Sequence, residues 1–229
     1  AAVEPDFAVT AQNEAPVAAI CRALDCLPLA IELCAAHVNL FEPAALLARL
    51  HDRRLDMLSN GPGDLPVRHR TLANAIHRSY LLLTPDEQAL LNRLAVFGGG
   101  FDADAVRHLG FGAAALRALI SKHLVRRTSP SDAPPRYGLL ETIREYALDR
   151  LAAVGDEQAA RRRHAMYFLE LAETVEGTPV VHGPIDLERL SRELDNLRIA
   201  LRYWIDDGAN AAVRLVAALR PFWYAKGHL

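Results

Sequence analysis

Residues 113–140 read AAALRALISKHLVRRTSPSDAPPRYGLL, and this stretch decides the fold. Leu116, Leu119 and Ile120, with His123 or Leu124 beyond them, recur at the spacing of one helical face. Residues 124–128 then suit a strand. Residues 129–135 are rich in Ser and Pro, the composition of a turn, and residues 136–140 can return as a second strand. A helix followed by such a hairpin closes a winged helix-turn-helix when helices precede it. Thr84-Pro85-Asp86-Glu87 is a capping box that opens one, with Thr84 as cap, Pro85 at the first helical position and Glu87 reaching back. That helix is predicted to run to Phe97, where Gly98-Gly99-Gly100 stops it. Asp102 is placed to cap a short helix to Leu109. Residues 71–83 read as a helix ahead of these. Residues 142–154 read as an exit helix ended by Gly155. The winged-helix domain is therefore expected over 67–154.

Upstream, Val17, Ile20, Cys21 and Leu24 fall on one face of a helix predicted over 14–25. Pro28 opens a second helix to about Val38, because its missing N–H costs nothing at the first position. Pro43 begins a third through Leu46, Leu47 and Leu50. Ser59-Asn60-Gly61-Pro62-Gly63-Asp64 is the clearest break in the chain. A small helical domain with its linker is thus expected over 1–66. Residues 1–8 have neither cap nor period and read as the remnant of a preceding element. Downstream, residues 156–176, 187–206 and 210–225 have amphipathic helical spacing, with a loop over 177–184. The last two carry aromatic knobs such as Trp204, Phe222 and Trp223. They look like the opening of a tetratricopeptide-type array over 155–229. The fold class is mainly α with one short hairpin.

Composition limits the function. Apolar residues make up 51% of 229, enough for a sizeable core. The net charge of −2 excludes a generic polyanion binder. Residues 67–150 hold 12 Lys/Arg and 8 Asp/Glu, a local +4. Cys21, Cys26 and Cys34 are an odd, clustered set and read as small apolar residues of a reducing cytoplasm, not as a disulfide framework. The apolar runs break at charges short of the ~18 residues of a membrane span, so no membrane partner is expected. Ser79, Ser121 and Ser191 lack a nucleophile elbow. The scattered histidines lack the spacing of a zinc hydrolase. A phosphate-binding loop needs Gly-x-x-x-x-Gly-Lys-Ser/Thr, and neither Lys122 nor Lys226 follows a glycine. No enzyme activity and no cofactor are expected of this chain alone.

Several motifs occur in one order: CLPLA (26–30), Arg70-Thr71-Leu72, the Thr84 capping box, LAVFGGGF (94–101) and LLETIREYA (139–147). In this order they resemble STAND-class, NB-ARC-like signal-transduction ATPases, in particular bacterial LuxR-type and antibiotic-regulator-type transcriptional regulators. The resemblance covers nearly the whole chain. It implies that Pro28, with Leu29, faces the adenine of an ATP or ADP held by an upstream P-loop domain. It also places Leu140 and Glu141 where related switches carry a phosphate-touching histidine. Leu140 cannot donate to phosphate. Glu141 is expected to cap the following helix, with pairing to an arginine as the alternative. Where Cys26 stands the family usually has glycine, so Cys26 is predicted either to sit at positive φ or to remodel its turn.

The resemblance implies a regulatory relay between an upstream nucleotide domain and downstream repeats that bind an effector or protein. DNA would be read by another domain of the same protein. Two other readings stay open. Arg117 and Lys122 on the recognition-helix position, with Arg126, Arg127 and Arg136 near the wing, could contact DNA phosphates. The chain could also be a non-catalytic helical interaction scaffold.

Overall fold

The computed structural model describes residues 7–35, 37–38, 41–52, 71–176 and 184–225. The linker expected at 59–66 lies outside them. The N-terminal unit contains α1 (Glu14–Ala23), α2 (Pro28–Ala35) and α3 (Pro43–Asp52), with α1 packed on α3. Ile20, Leu24, Ala30, Cys34, Leu46 and Leu50 form its core. Burial raises the Cys34 thiol to about 11, with nearby Cys21 adding to the effect, so it behaves as an inert apolar residue.

Next come α4 (Thr71–Leu81), α5 (Pro85–Leu94), α6 (Ala103–His108), α7 (Ala113–Ser121), β1 (Arg126–Arg127), β2 (Tyr137–Gly138) and α8 (Glu141–Ala153). The capping box at Thr84 is formed in both directions. The Glu87 N–H donates to Thr84 Oγ1, and the Thr84 N–H donates to Glu87 Oε2 at 2.8 Å. Asp102 caps α6 through the Ala105 N–H at 2.8 Å. Each such cap supplies about 1 kcal/mol. Helix α5 packs on α7 and α8. The strands are shorter than the sequence predicts: Arg126 pairs with Gly138 and Arg127 with Tyr137, antiparallel. A third segment joins them, because Phe101 and Tyr137 exchange both backbone bonds, at 2.9 and 2.8 Å. Sequence reading missed it: one residue has no alternation to betray it.

The C-terminal part holds α9 (Glu157–Glu176), α10 (Pro184–Arg192), α11 (Leu194–Asp207) and α12 (Ala209–Ala225). Helix α9 packs on α11 and α12. The single helix predicted over 187–206 is instead two, broken at Glu193. One hydrophobic core runs without interruption from Ile76 through Phe101, Leu151 and Phe168 to Phe222, on both sides of Gly155. The fold is mainly helical with one small sheet, as expected.

Candidate functional site

The polar chemistry gathers at two seams of the winged helix. The first faces the C-terminal helices. Helix α5 stops at Leu94 with Ala95 as its C-cap, short of the expected Phe97, so Gly98-Gly99-Gly100 serves another purpose than ending it. A Cβ on Gly98 would lie 2.6 Å from Ile199 Cδ1 on α11. Gly100 has φ +76°, and its Cβ would lie 2.6 Å from the Tyr137 carbonyl oxygen. At Gly100 the positive φ and the close Tyr137 carbonyl both require glycine, whereas Gly98 leaves room for the end of the Ile199 side chain. The freed carbonyls are then taken by Arg136, whose Nε donates to Gly99 O at 3.0 Å and whose Nη2 donates to Gly99 O at 2.6 Å. The same guanidinium holds the Glu193 carboxylate in a two-armed ion pair and reaches the Arg192 carbonyl at 3.2 Å. That insertion sits at the break between α10 and α11. Burial works against the Arg136 charge, and Glu193 more than offsets it, so its pKa is raised.

Asn196 completes the network. It is fully buried and donates to Gly100 O at 2.9 Å and to Glu193 Oε2 at 2.8 Å. Its Oδ1 faces the Gly99 N–H and His164 Nε2, each at 3.4 Å. Burial lowers the His164 pKa to about 4, so the ring is neutral near pH 7. Beside this network, between α9 and α11, lies a cleft of about 450 Å³ lined by Val96, Arg161, His164, Ile199, Arg202 and Tyr203 among others.

The second seam faces the N-terminal unit. Pro28 is the first residue of α2, as expected, and is exposed. Leu29 follows it in the helix, and its side chain lies outside the described residues. Cys26 sits at φ 54°, the first of the two outcomes expected of it, and Asp25 shares that φ. Leu140 is the N-cap of α8 and has no side-chain cap bond. The Glu141 carboxylate is not the cap either. Glu141 is the first helical residue and pairs with Arg144, so the alternative reading of this residue is the observed one. Its side chain lies one position too far along to cap. The Glu141 N–H instead donates to Asp25 Oδ2 at 2.7 Å.

The α8 N-terminus, the place where an anion would be favoured, already holds a carboxylate. Leu140 offers no donor there.

The basic residues weighed for DNA are dispersed by the fold. Lys122 donates to Glu87 at 2.6 Å, and this bond and Thr84 hold the Glu87 carboxyl below its ordinary range. Arg127 ties the wing loop together through the carbonyls of Pro130, Ser131 and Ala133. Arg136 is committed to the first seam, and Arg126 lies 3.6 Å from Asp25. Arg117 is exposed and makes no hydrogen bond or ion pair among the described residues. Around it α7 presents Ala113, Ala114 and Ser121. Among the described residues there is no His/Cys/Asp/Glu group that could hold a metal. No helix of the described residues is long and apolar enough to cross a membrane.

Comparison with known proteins supports this architecture. A Mycobacterium tuberculosis protein provisionally named an HTH-type transcriptional regulator is 37% identical over 99% of this chain, which spans 26% of that protein. A Mycobacterium bovis protein of the same provisional description matches equally. A second, uncharacterized M. tuberculosis protein is 34% identical over 76% of the chain and 46% of its own length. The chain therefore spans about a quarter of the first relatives it matches. No solved structure matches it. Residues 83–152 match the winged helix-turn-helix domain family, so α5 to α8 with their hairpin are such a domain, in a chain homologous to those transcriptional regulators.

Proposed function

We propose that this chain is the relay of a multidomain transcriptional regulator, and that its winged helix couples neighbouring units instead of reading DNA. The observation that supports this most is the fate of Arg136. This cation beside the wing is spent on Glu193 and on the Gly99 and Gly100 carbonyls, and it welds the winged helix to the C-terminal helices. In the longer protein an upstream P-loop domain would hold ATP or ADP and a separate domain would bind DNA. The C-terminal helices would begin a tetratricopeptide-like array. The cleft between α9 and α11 offers such an array a place for a small effector. No catalytic role is assigned to the residues of this chain.

A second reading keeps DNA binding at α7. It is favoured by the winged-helix family match and by the unpartnered Arg117. A mobility-shift assay on random-sequence duplex over a salt series separates the two. The relay reading expects no shift even at low salt. A salt-dependent shift that Arg117→Ala abolishes would overturn it.

A further inference from the structure

Helix α1 ends in a conformation that L-residues avoid. The amides of Asp25 and Cys26 return to the carbonyls of Arg22 at 3.1 Å and Cys21 at 2.9 Å, while both residues sit at φ 54°. This two-bond closure is the Schellman motif, with Asp25 at the position that glycine usually fills. Aspartate tolerates that region better than most side chains, yet glycine has no Cβ to clash there. Local geometry therefore favours glycine, and the use of the carboxylate is remote. Asp25 Oδ2 accepts the Glu141 N–H at 2.7 Å, 116 residues along the chain, and its other oxygen lies 3.6 Å from Arg126. Its side chain is only 12% exposed.

The acceptor is one that α8 needs. Its first N–H groups have no intrahelical partner, and Leu140 at the N-cap carries no oxygen to satisfy them. The N-terminal core and the main core, moreover, are separate clusters. We infer that Asp25 is a latch: its carboxylate closes the N-terminal helical unit onto the winged helix, and its loss frees that unit. The latch deepens the relay reading and rests on it for its consequence, since it names the contact through which the N-terminal unit is engaged or released.

Asp25→Gly is the discriminating variant, because it suits the turn and removes only the carboxylate. Amide exchange by NMR reads Glu141 directly, and small-angle scattering reads closure. The expected result is Glu141 exchange about tenfold faster or more in the variant. The radius of gyration should increase, while core amides of α5 to α7 stay unchanged. Asp25→Asn, which keeps an acceptor but loses the charge, should fall between. An unchanged Glu141 rate, or a faster rate with an unchanged radius, overturns the latch. DNA binding has no bearing on either readout, so this test and that of the relay reading can fail separately.

Discussion

The winged helix meets its two neighbours through different kinds of seam. Toward the C-terminal helices, Gly98 and Gly99 leave room for the Ile199 and Asp195 side chains, a continuous hydrophobic core passes beneath, and the Arg136–Glu193–Asn196 network satisfies the buried carbonyls. Toward the N-terminal helices the cores are separate, and Asp25 carries a polar contact across. A buried, fully connected network has no cheap alternative arrangement, because removing any member strands another in low dielectric. The Asp25 contact is a single N–H bond beside an arginine that is itself half exposed, and water can replace the carboxylate at the α8 N-terminus. Movement is therefore expected at the N-terminal seam, with the winged helix and the C-terminal helices travelling as one body.

The largest effect that would break this comparison is at Arg136. Arg136→Ala leaves Glu193 buried without its cation and the Gly99 carbonyl without a donor, while Gly100 keeps its Asn196 donor, which should cost about 3–5 kcal/mol. Urea denaturation followed by circular dichroism measures it. Arg136→Met combined with Glu193→Leu should recover much of the loss, because the uncompensated charge is then gone. A loss under 1 kcal/mol for Arg136→Ala would mean the seam is not rigid.

A smaller effect sharpens the same seam through pH. His164 is held neutral by burial, with a pKa of about 4 in the folded state. In the unfolded chain it titrates near 6.5. The unfolded state thus takes up a proton that the folded state refuses, and stability is lost as pH falls from about 6.5 to about 4. The full loss is about 3 kcal/mol. His164→Gln removes this contribution, so the stability difference between wild type and variant should shrink across that window. A difference independent of pH would show that the ring is not held neutral.

The smallest effect belongs to the other seam. Cys26→Gly relieves a left-handed residue and should stabilise the N-terminal unit by about 1 kcal/mol or less. Exchange of the α1 amides would report it, since global melting is dominated by the larger core. Slower exchange in the variant is expected, and faster exchange would show that the Cys26 side chain has a packing role.

Much of this was legible in the chain. The capping box at Thr84, the cap at Asp102, Pro28 at a helix start and the stop at Gly155 are short-range devices, so the residues that make them are neighbours in sequence. The same locality brought the turn at Cys26 into view, though it left a positive φ and a remodelled turn both open. The functional residues escaped for the opposite reason. Asp25 looks like an ordinary turn residue until Glu141 is placed beside it. Arg136 looks like a wing cation until Glu193 arrives from 57 residues away. The break at Glu193 likewise depends on that inserted guanidinium, and an amphipathic run carries no local mark of it.

The sequence alone determined most of the helices, the hairpin, their order and the absence of a phosphate-binding loop from these residues, because caps, periods and motifs are written in neighbouring residues. Only the tertiary structure decided which charges were spent. A guanidinium has the same pattern in sequence whether it meets phosphate, solvent or a buried carboxylate, and burial with its partner's distance settles the difference.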